Sequence, residues 1–289
     1  MKKIAIVVSS SCGLTEEEAK KRGWFYLPLN IQIDEKNYLD GIDLTSTNLF
    51  EKFSKDSKSA KTSSTNIGYI MNLFAQLSNT FDAVVIFPIS QHLSGEYQNL
   101  IHFASDFKNI YIINSLDVAH LITLKVIEFE HLIKSKVPLN EAIEQIQAPN
   151  SLLSVSLIPK YNHFLVKGGR LTPGAATIAN LLKIIPIIKF ENGKLEKEGI
   201  GRVFSKTVIN CIDSKFERLT NPQDFDLIIL HSQNSEINDF VSYAQRKYSL
   251  KVLISNIPPV ISIHTGPEAI VIIKHPKLST EQKLLFSQN

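Results

Sequence analysis

Residues 83–104, AVVIFPISQHLSGEYQNLIHFA, hold the reading that decides the fold. Ala83 to Phe87 is a short, apolar, partly β-branched run, the composition of a strand buried on both faces. It passes through Pro88 and Ser90, then Ser94 and Gly95, into a segment where Tyr97, Leu100, Ile101 and Ala104 share one helical face. Strand, polar turn and amphipathic helix in that order form the repeating unit of a parallel α/β sheet.

The same unit recurs on both sides. Ile4 to Val8 leads into Ser9, Ser10 and Ser11, and Ile110 to Ile113 leads into Asn114 and Ser115. Ile67, Ile70, Met71, Phe74 and Leu77 mark a second amphipathic helix packed on the sheet. Val118 to Leu132 is apolar nearly all round, which predicts a helix enclosed on several sides and able to line a buried space.

The rhythm breaks around Ala148 to Tyr161, so the sequence predicts an N-terminal α/β domain over residues 1–158 and a C-terminal one over 159–289. In the second, Ile184–Phe190, the turn Asn192-Gly193 and Leu195–Ile200 read as a hairpin, because Asn-Gly accepts positive φ. Further strands are expected at Asp226–Leu230, Val252–Ser255, Val260–Ile263 and Ala269–Ile273, with Phe240, Val241 and Ala244 on a helix between them. The fold class is therefore two-domain α/β: a parallel sheet first, then a smaller mixed sheet.

Composition narrows the function. The 289 residues carry 31 Lys+Arg against 28 Asp+Glu, a formal charge of +3, which excludes a strongly basic nucleic-acid-coating surface. Two cysteines, Cys12 and Cys211, are too few for a disulfide framework and lack zinc-ligand spacing, which points to a reducing, cytoplasmic setting. The apolar run after Lys2 and Lys3 is too short for a signal peptide. Leu181 to Phe190 is broken by Lys183, Pro186 and Lys189, so it does not read as a membrane span.

Three loops carry groups suited to chemistry. Lys61-Thr62-Ser63-Ser64-Thr65-Asn66 precedes the Ile67 helix, where a hydroxyl caps the helix or the uncovered N–H groups attract an anion. In His92-Leu93-Ser94-Gly95-Glu96, Gly95 lets a ligand approach the backbone. The third, His264-Thr265-Gly266-Pro267, places an imidazole at a tight turn after the strand expected at 260–263. Arg170 and Arg202 stand beside glycines, and guanidinium forks suit carboxylate and phosphate. No P-loop, Gly-x-Gly-x-x-Gly, His-Glu-x-x-His or Gly-x-Ser-x-Gly motif is present, so no self-contained catalytic site or metal site is expected. The alternative is a small-molecule hydrolase or phosphotransferase with Ser94 as nucleophile and His264 as acid or base.

Taken in order, Asp40-Gly41-Ile42-Asp43-Leu44-Thr45, Lys61-Thr62-Ser63, Leu93-Ser94-Gly95-Glu96-Tyr97-Gln98, Lys167-Gly168-Gly169-Arg170, Leu182 to Ile188, Asn192-Gly193, Gly201-Arg202 and His264-Thr265-Gly266-Pro267 resemble the DegV family. The resemblance implies a two-domain α/β protein that binds a long-chain fatty acid between its domains. It implies that Thr62 and Ser94, with Ser63 and Gly95 beside them, hold the carboxylate together with His264 and Thr265. It also implies a separate fatty acid kinase that phosphorylates the presented carboxylate for phospholipid synthesis, with Arg170 and Arg202 facing the phosphate or that partner. No cofactor is implied, and contact with the membrane would be transient. The chain departs from the family pattern at Ser9, where Asp-Ser becomes Ser9-Ser10, at Ser64 and Thr65 in place of Gln-Pro, and at Glu268 in place of Gly.

The physics of such a ligand is simple. Burial is worth about 0.8 kcal/mol per CH₂, so a tail of about 15 methylenes offers on the order of 10 kcal/mol before entropic costs. The carboxylate then needs only a few preorganised donors. Thr62, Ser94, a protonated or donor-tautomer His264 and helix-start amides are the expected set, with apolar walls from Val118–Leu132 and Leu181–Ile188.

Overall fold

The computed structural model describes residues 3–54, 57, 59–179 and 183–286. They form two compact units, Met1–Ala148 with Pro258–Ile263, and Pro149–Ile257 with His264–Asn289. The boundary expected at 158/159 therefore differs from the observed division. The strand over residues 154–158 is hydrogen-bonded into the second sheet, and a short later stretch belongs to the first unit.

In the first unit the strands are β1 (Ile4–Ser9), β2 (Phe25–Leu27), β3 (Asn30–Ile33), β4 (Lys36–Leu39), β5 (Ala60–Ser63), β6 (Ala83–Phe87) and β7 (Ile110–Ile112). The main sheet has the order β2-β1-β6-β7 and every pair in it is parallel. Ala5, Val7, Val84 and Ile86 face Ile70, Phe74 and Leu77 of the helix Ile67–Thr80 and Leu100 and Ala104 of the helix Glu96–Ala104. Alternation sends Phe87 to the opposite face, where its ring meets the edge of Phe129 with centroids 5.6 Å apart. Phe129 belongs to the helix His120–Lys134, whose Leu121, Ile122, Leu124, Val126 and Ile127 are also buried.

A separate antiparallel sheet, β4-β3-β5, was not legible in the sequence. Its strands are only four residues long, and Lys36–Leu39 shows no apolar alternation. It holds Thr62 opposite Ile31 and Ser63 opposite Asn30, so these residues lie on a strand rather than in a loop.

The second unit is built on β8 (Ser154–Ile158), β9 (Ile185–Glu191), β10 (Lys194–Gly201), β11 (Phe225–His231), β12 (Val252–Asn256) and β13 (Ile270–Pro276), in the order β10-β9-β8-β13-β11-β12. Only β11 and β12 pair in parallel, so the sheet is mixed. The hairpin between β9 and β10 turns at Asn192 (φ 49°) and Gly193 (φ 76°), the doubly positive φ that joins twisted strands closely. Val208, Ile212 and Phe216 of the helix Phe204–Phe216 and Phe240 and Ala244 of the helix Ile237–Tyr248 pack on Ile158, Leu227, Ile229, Ile270 and Ile272.

Val260 to Ile263 is helical, not a strand. Proline fixes φ near the helical value and gives up no needed N–H at a helix start. Here Pro258 and Pro259 begin the helix Pro259–Thr265, and the Pro258 carbonyl accepts from Ile261 and Ser262 N–H. The β-branched composition that suggested a strand is overridden by that start. Leu181 and Leu182, expected as apolar walls, lie outside the described residues.

Candidate functional site

In the first unit the polar groups gather where β1 and β6 end. Ser9, Ser10 and Ser11 are buried. Ser9 Oγ accepts from Ser11 Oγ at 3.0 Å, and Ser10 Oγ accepts from Leu29 N–H at 3.0 Å. Two carboxyls lie near these hydroxyls. Asp40 Oδ1 accepts from Val260 N–H at 3.1 Å and Glu96 Oε2 from Ile89 N–H at 3.1 Å. Their other oxygens, Asp40 Oδ2 and Glu96 Oε1, are buried with no hydrogen-bond partner among the described residues. Loss of water pushes both up to about 7, against smaller opposing effects of Ser10 and Val260 on Asp40 and of Ile89 and Ser9 on Glu96. At neutral pH each exists partly as the uncharged acid.

The two hydroxyl-bearing segments are tied together. Asn30 Nδ2 donates to the Ser64 carbonyl at 2.6 Å, and Asn99 Nδ2, one turn into the helix after Gly95, donates to Ser64 Oγ at 3.3 Å. Asn66 caps the helix Ile67–Thr80, its Oδ1 accepting from Tyr69 N–H at 3.2 Å, so none of the hydroxyls at 62–65 is needed as that cap. Ser94 does serve a helix start, since its Oγ accepts from Glu96 N–H at 3.1 Å. A hydroxyl that accepts in this way still has its proton to give. Ser63 and Gly95 are exposed, Thr62 and Ser94 half-buried and Thr65 buried.

In the second unit His264 lies in the last turn of the helix Pro259–Thr265, rather than in a turn after a strand. A Cβ at Gly168 would stand 2.9 Å from His264 Nδ1, so only glycine allows the end of the helix Asn162–Gly168 to come this close to the imidazole. Gly266 (φ 80°) turns the chain immediately after Thr265, and a Cβ there would strike the Phe164 ring. Burial, and then the positive Arg170, hold His264 down to about 4. The ring is therefore largely neutral at physiological pH. Thr265 is buried and its Oγ1 has no hydrogen-bond partner among the described residues.

Arg170 is exposed and its Nη1 donates to the Gly168 carbonyl. Arg202 is exposed between the equally exposed Ile200 and Val203. Glu268 adopts φ 57° and accepts from Lys160 Nζ and, at 2.9 Å, from Ser235 Oγ. Lys160 also reaches Glu236 at 3.2 Å. Glu268 is thus a charge already matched by Lys160, and these donors hold its carboxyl below the ordinary carboxylate value despite its partial burial.

Asp40 and Glu96 are the residues whose character the sequence did not reveal. Asp40 precedes a glycine as many turn acids do, and Glu96 opens a helix, where an acid is ordinary. Burial alone makes them unusual. Among the described residues no cluster of three or more His, Cys, Asp or Glu is arranged to hold a metal ion, and no helix is long and apolar enough to cross a membrane.

The sequence matches the DegV family, described as uncharacterised proteins, over residues 3–277. The chain belongs to the DegV family. A DegV domain-containing protein of Mycoplasmopsis pulmonis is 46% identical over 271 residues, covering 93% of this chain and 94% of the relative. Among solved structures, DegV of Bacillus subtilis, described as a fatty acid binding protein, superposes with a TM-score of 0.80 at 22% identity, covering 96% of this chain and 100% of that one. A stearic acid-binding protein of Eubacterium ventriosum gives 0.79 at 22% identity, covering 95% and 98%. At such identities these two structures establish the DegV fold.

Proposed function

We propose that this DegV protein binds a long-chain fatty acid and presents its carboxylate to a separate fatty acid kinase, which forms an acyl phosphate for phospholipid synthesis. The protein itself supplies no catalytic group and no cofactor. It works in the cytoplasm, taking its ligand from the membrane in transient contact. Thr62, Ser63, Ser94 and Gly95 of the first unit and His264 and Thr265 of the second are the carboxylate-binding groups. Arg170 and Arg202, both exposed, face the phosphate or the partner. The apolar helix His120–Lys134 contributes to the wall around the tail.

Membership of a family whose solved relatives are described as fatty acid binding proteins is the observation that carries this reading. The side chains support it. Ser94 is oriented by Glu96 N–H with a proton left to donate, and Thr265 has a buried hydroxyl in need of an acceptor. Binding a carboxylate requires donors of this kind.

The His264 imidazole weighs against the hydrolase alternative. A general base works best with a pKa near the working pH, and His264 at about 4 is a weak base at pH 7.

Native mass spectrometry of the purified protein, followed by extraction and identification of the bound molecule, tests the proposal. One fatty acid per chain is expected. An empty protein that also fails to take up added fatty acids overturns it.

A further inference from the structure

The hydroxyl-bearing Thr65 lies two residues before the helix Ile67–Thr80. That hydroxyl is buried, and Thr65 Oγ1 has no hydrogen-bond partner among the described residues. Its neighbours are all engaged. Ser64 is bonded through both its carbonyl and its hydroxyl to Asn30 and Asn99, and Asn66 caps the helix that follows. Thr65 is thus pinned on both sides, relieved of the capping role, and stiff at χ1 because it is β-branched. A buried hydroxyl without a partner is costly, and valine has nearly the same shape without that cost. It also lies at the N-terminal end of the 14-residue helix Ile67–Thr80, where N–H groups and the helix dipole favour an anion.

We propose that Thr65 recognises the lipid headgroup, donating its hydroxyl proton to the carboxylate and selecting the free acid over an uncharged lipid of the same tail. This inference rests on the fatty-acid reading above. It makes Thr65 a specificity residue.

The test compares the full-length protein with Thr65→Val and Thr65→Ser. Displacement of a fluorescent fatty acid gives the affinity for a saturated C16 to C18 acid and for the alcohol with the same tail, and thermal melting is followed in the lipid-free state. Thr65→Val should bind the acid about 10-fold more weakly while alcohol binding changes less than about 2-fold. Its lipid-free melting temperature should be unchanged or higher, which also shows that it folds, and Thr65→Ser should restore the preference for acid. Equal acid binding by the parent protein and Thr65→Val overturns the assignment alone. A parallel loss of acid and alcohol overturns it too, because Thr65 would then shape the tail pocket. A parent protein that binds neither lipid overturns the underlying function as well.

Discussion

Asp40 in the first unit and Asp226 in the second are both buried aspartates, and the two units deal with their charge in different ways. Asp40 accepts one backbone N–H, lies near Ser10 and the acidic Glu96, and is pushed up to about 7. Asp226 accepts from Leu278 N–H at 2.8 Å and meets Lys277 and Lys283, each at 3.1 Å. One carboxyl is made tolerable by a proton and the other by cations on the segment that follows β13. The second unit repeats its solution where Lys160 joins Glu268 to Glu236. The difference teaches that burial does not fix the fate of an acid. Whether a lysine stem can reach it decides whether the acid is paired with a cation.

The contrast breaks most visibly in the pH dependence of stability. Asp40 and Glu96 have folded-state values near 7, above the ordinary carboxylate range, so their contribution is fully present in acid and is lost as pH rises through 7. His120 and His264, buried and held down to about 4, act in the opposite sense, with a contribution present above about 6.5 and lost as pH falls toward 4. Each proton taken up or released changes the slope by about 1.4 kcal/mol per pH unit. From these groups the parent protein should therefore show a nearly flat profile from pH 5 to 6.5 and a shallow decline centred near pH 7 that levels off by about pH 8. Combining Asp40→Asn with Glu96→Gln removes the carboxyl side of the balance. The variant's stability should rise by several kcal/mol from pH 5 to 7, read from urea denaturation at each pH, and a profile parallel to the parent's would contradict the assignment of protonated acids.

The second unit offers the next largest effect. Asp226→Ala removes the acceptor of Leu278 N–H and the partner of two lysines, and should cost about 2 kcal/mol at pH 7 because both lysines are partly exposed and can return to water. Urea denaturation at low and high salt checks it, with the loss shrinking as salt rises. The smallest effect is expected from Lys160→Met, which leaves Glu268 and Glu236 without their cation. Those groups are only partly buried, so about 1 kcal/mol or less should be lost, again less at high salt. A salt-independent loss in either variant would mean that packing, not charge pairing, holds these acids.

Much of the scaffold was legible because its signals are local. The apolar runs of β1 and β6, the helix face of Ile70, Phe74 and Leu77, and the Asn192-Gly193 hairpin each follow from a few adjacent residues. The helix Pro259–Thr265 was misread because Val260, Ile261 and Ile263 favour strands and only the two prolines before them signal a helix start. The small sheet that carries Thr62 was missed because its strands are short and largely polar. In the site, the hydroxyls and glycines could be singled out by position, but the neutrality of His264, the pairing of Glu268 and the burial of Asp40, Glu96 and Thr65 come from residues distant in sequence. No local pattern encodes them.

The Asp40–Val260 hydrogen bond spans 220 positions, and Pro258–Ile263 is part of the first unit. A chain emerging from the ribosome exposes the parallel sheet early, yet the segment that caps Asp40 leaves the exit tunnel only after nearly all of the second unit has been synthesised. The first unit therefore lacks this piece until residues 258–263 have been made. A fragment ended at Ala148 would lack its final piece, and an early truncation should yield a protein more readily digested than either unit in the 289-residue chain.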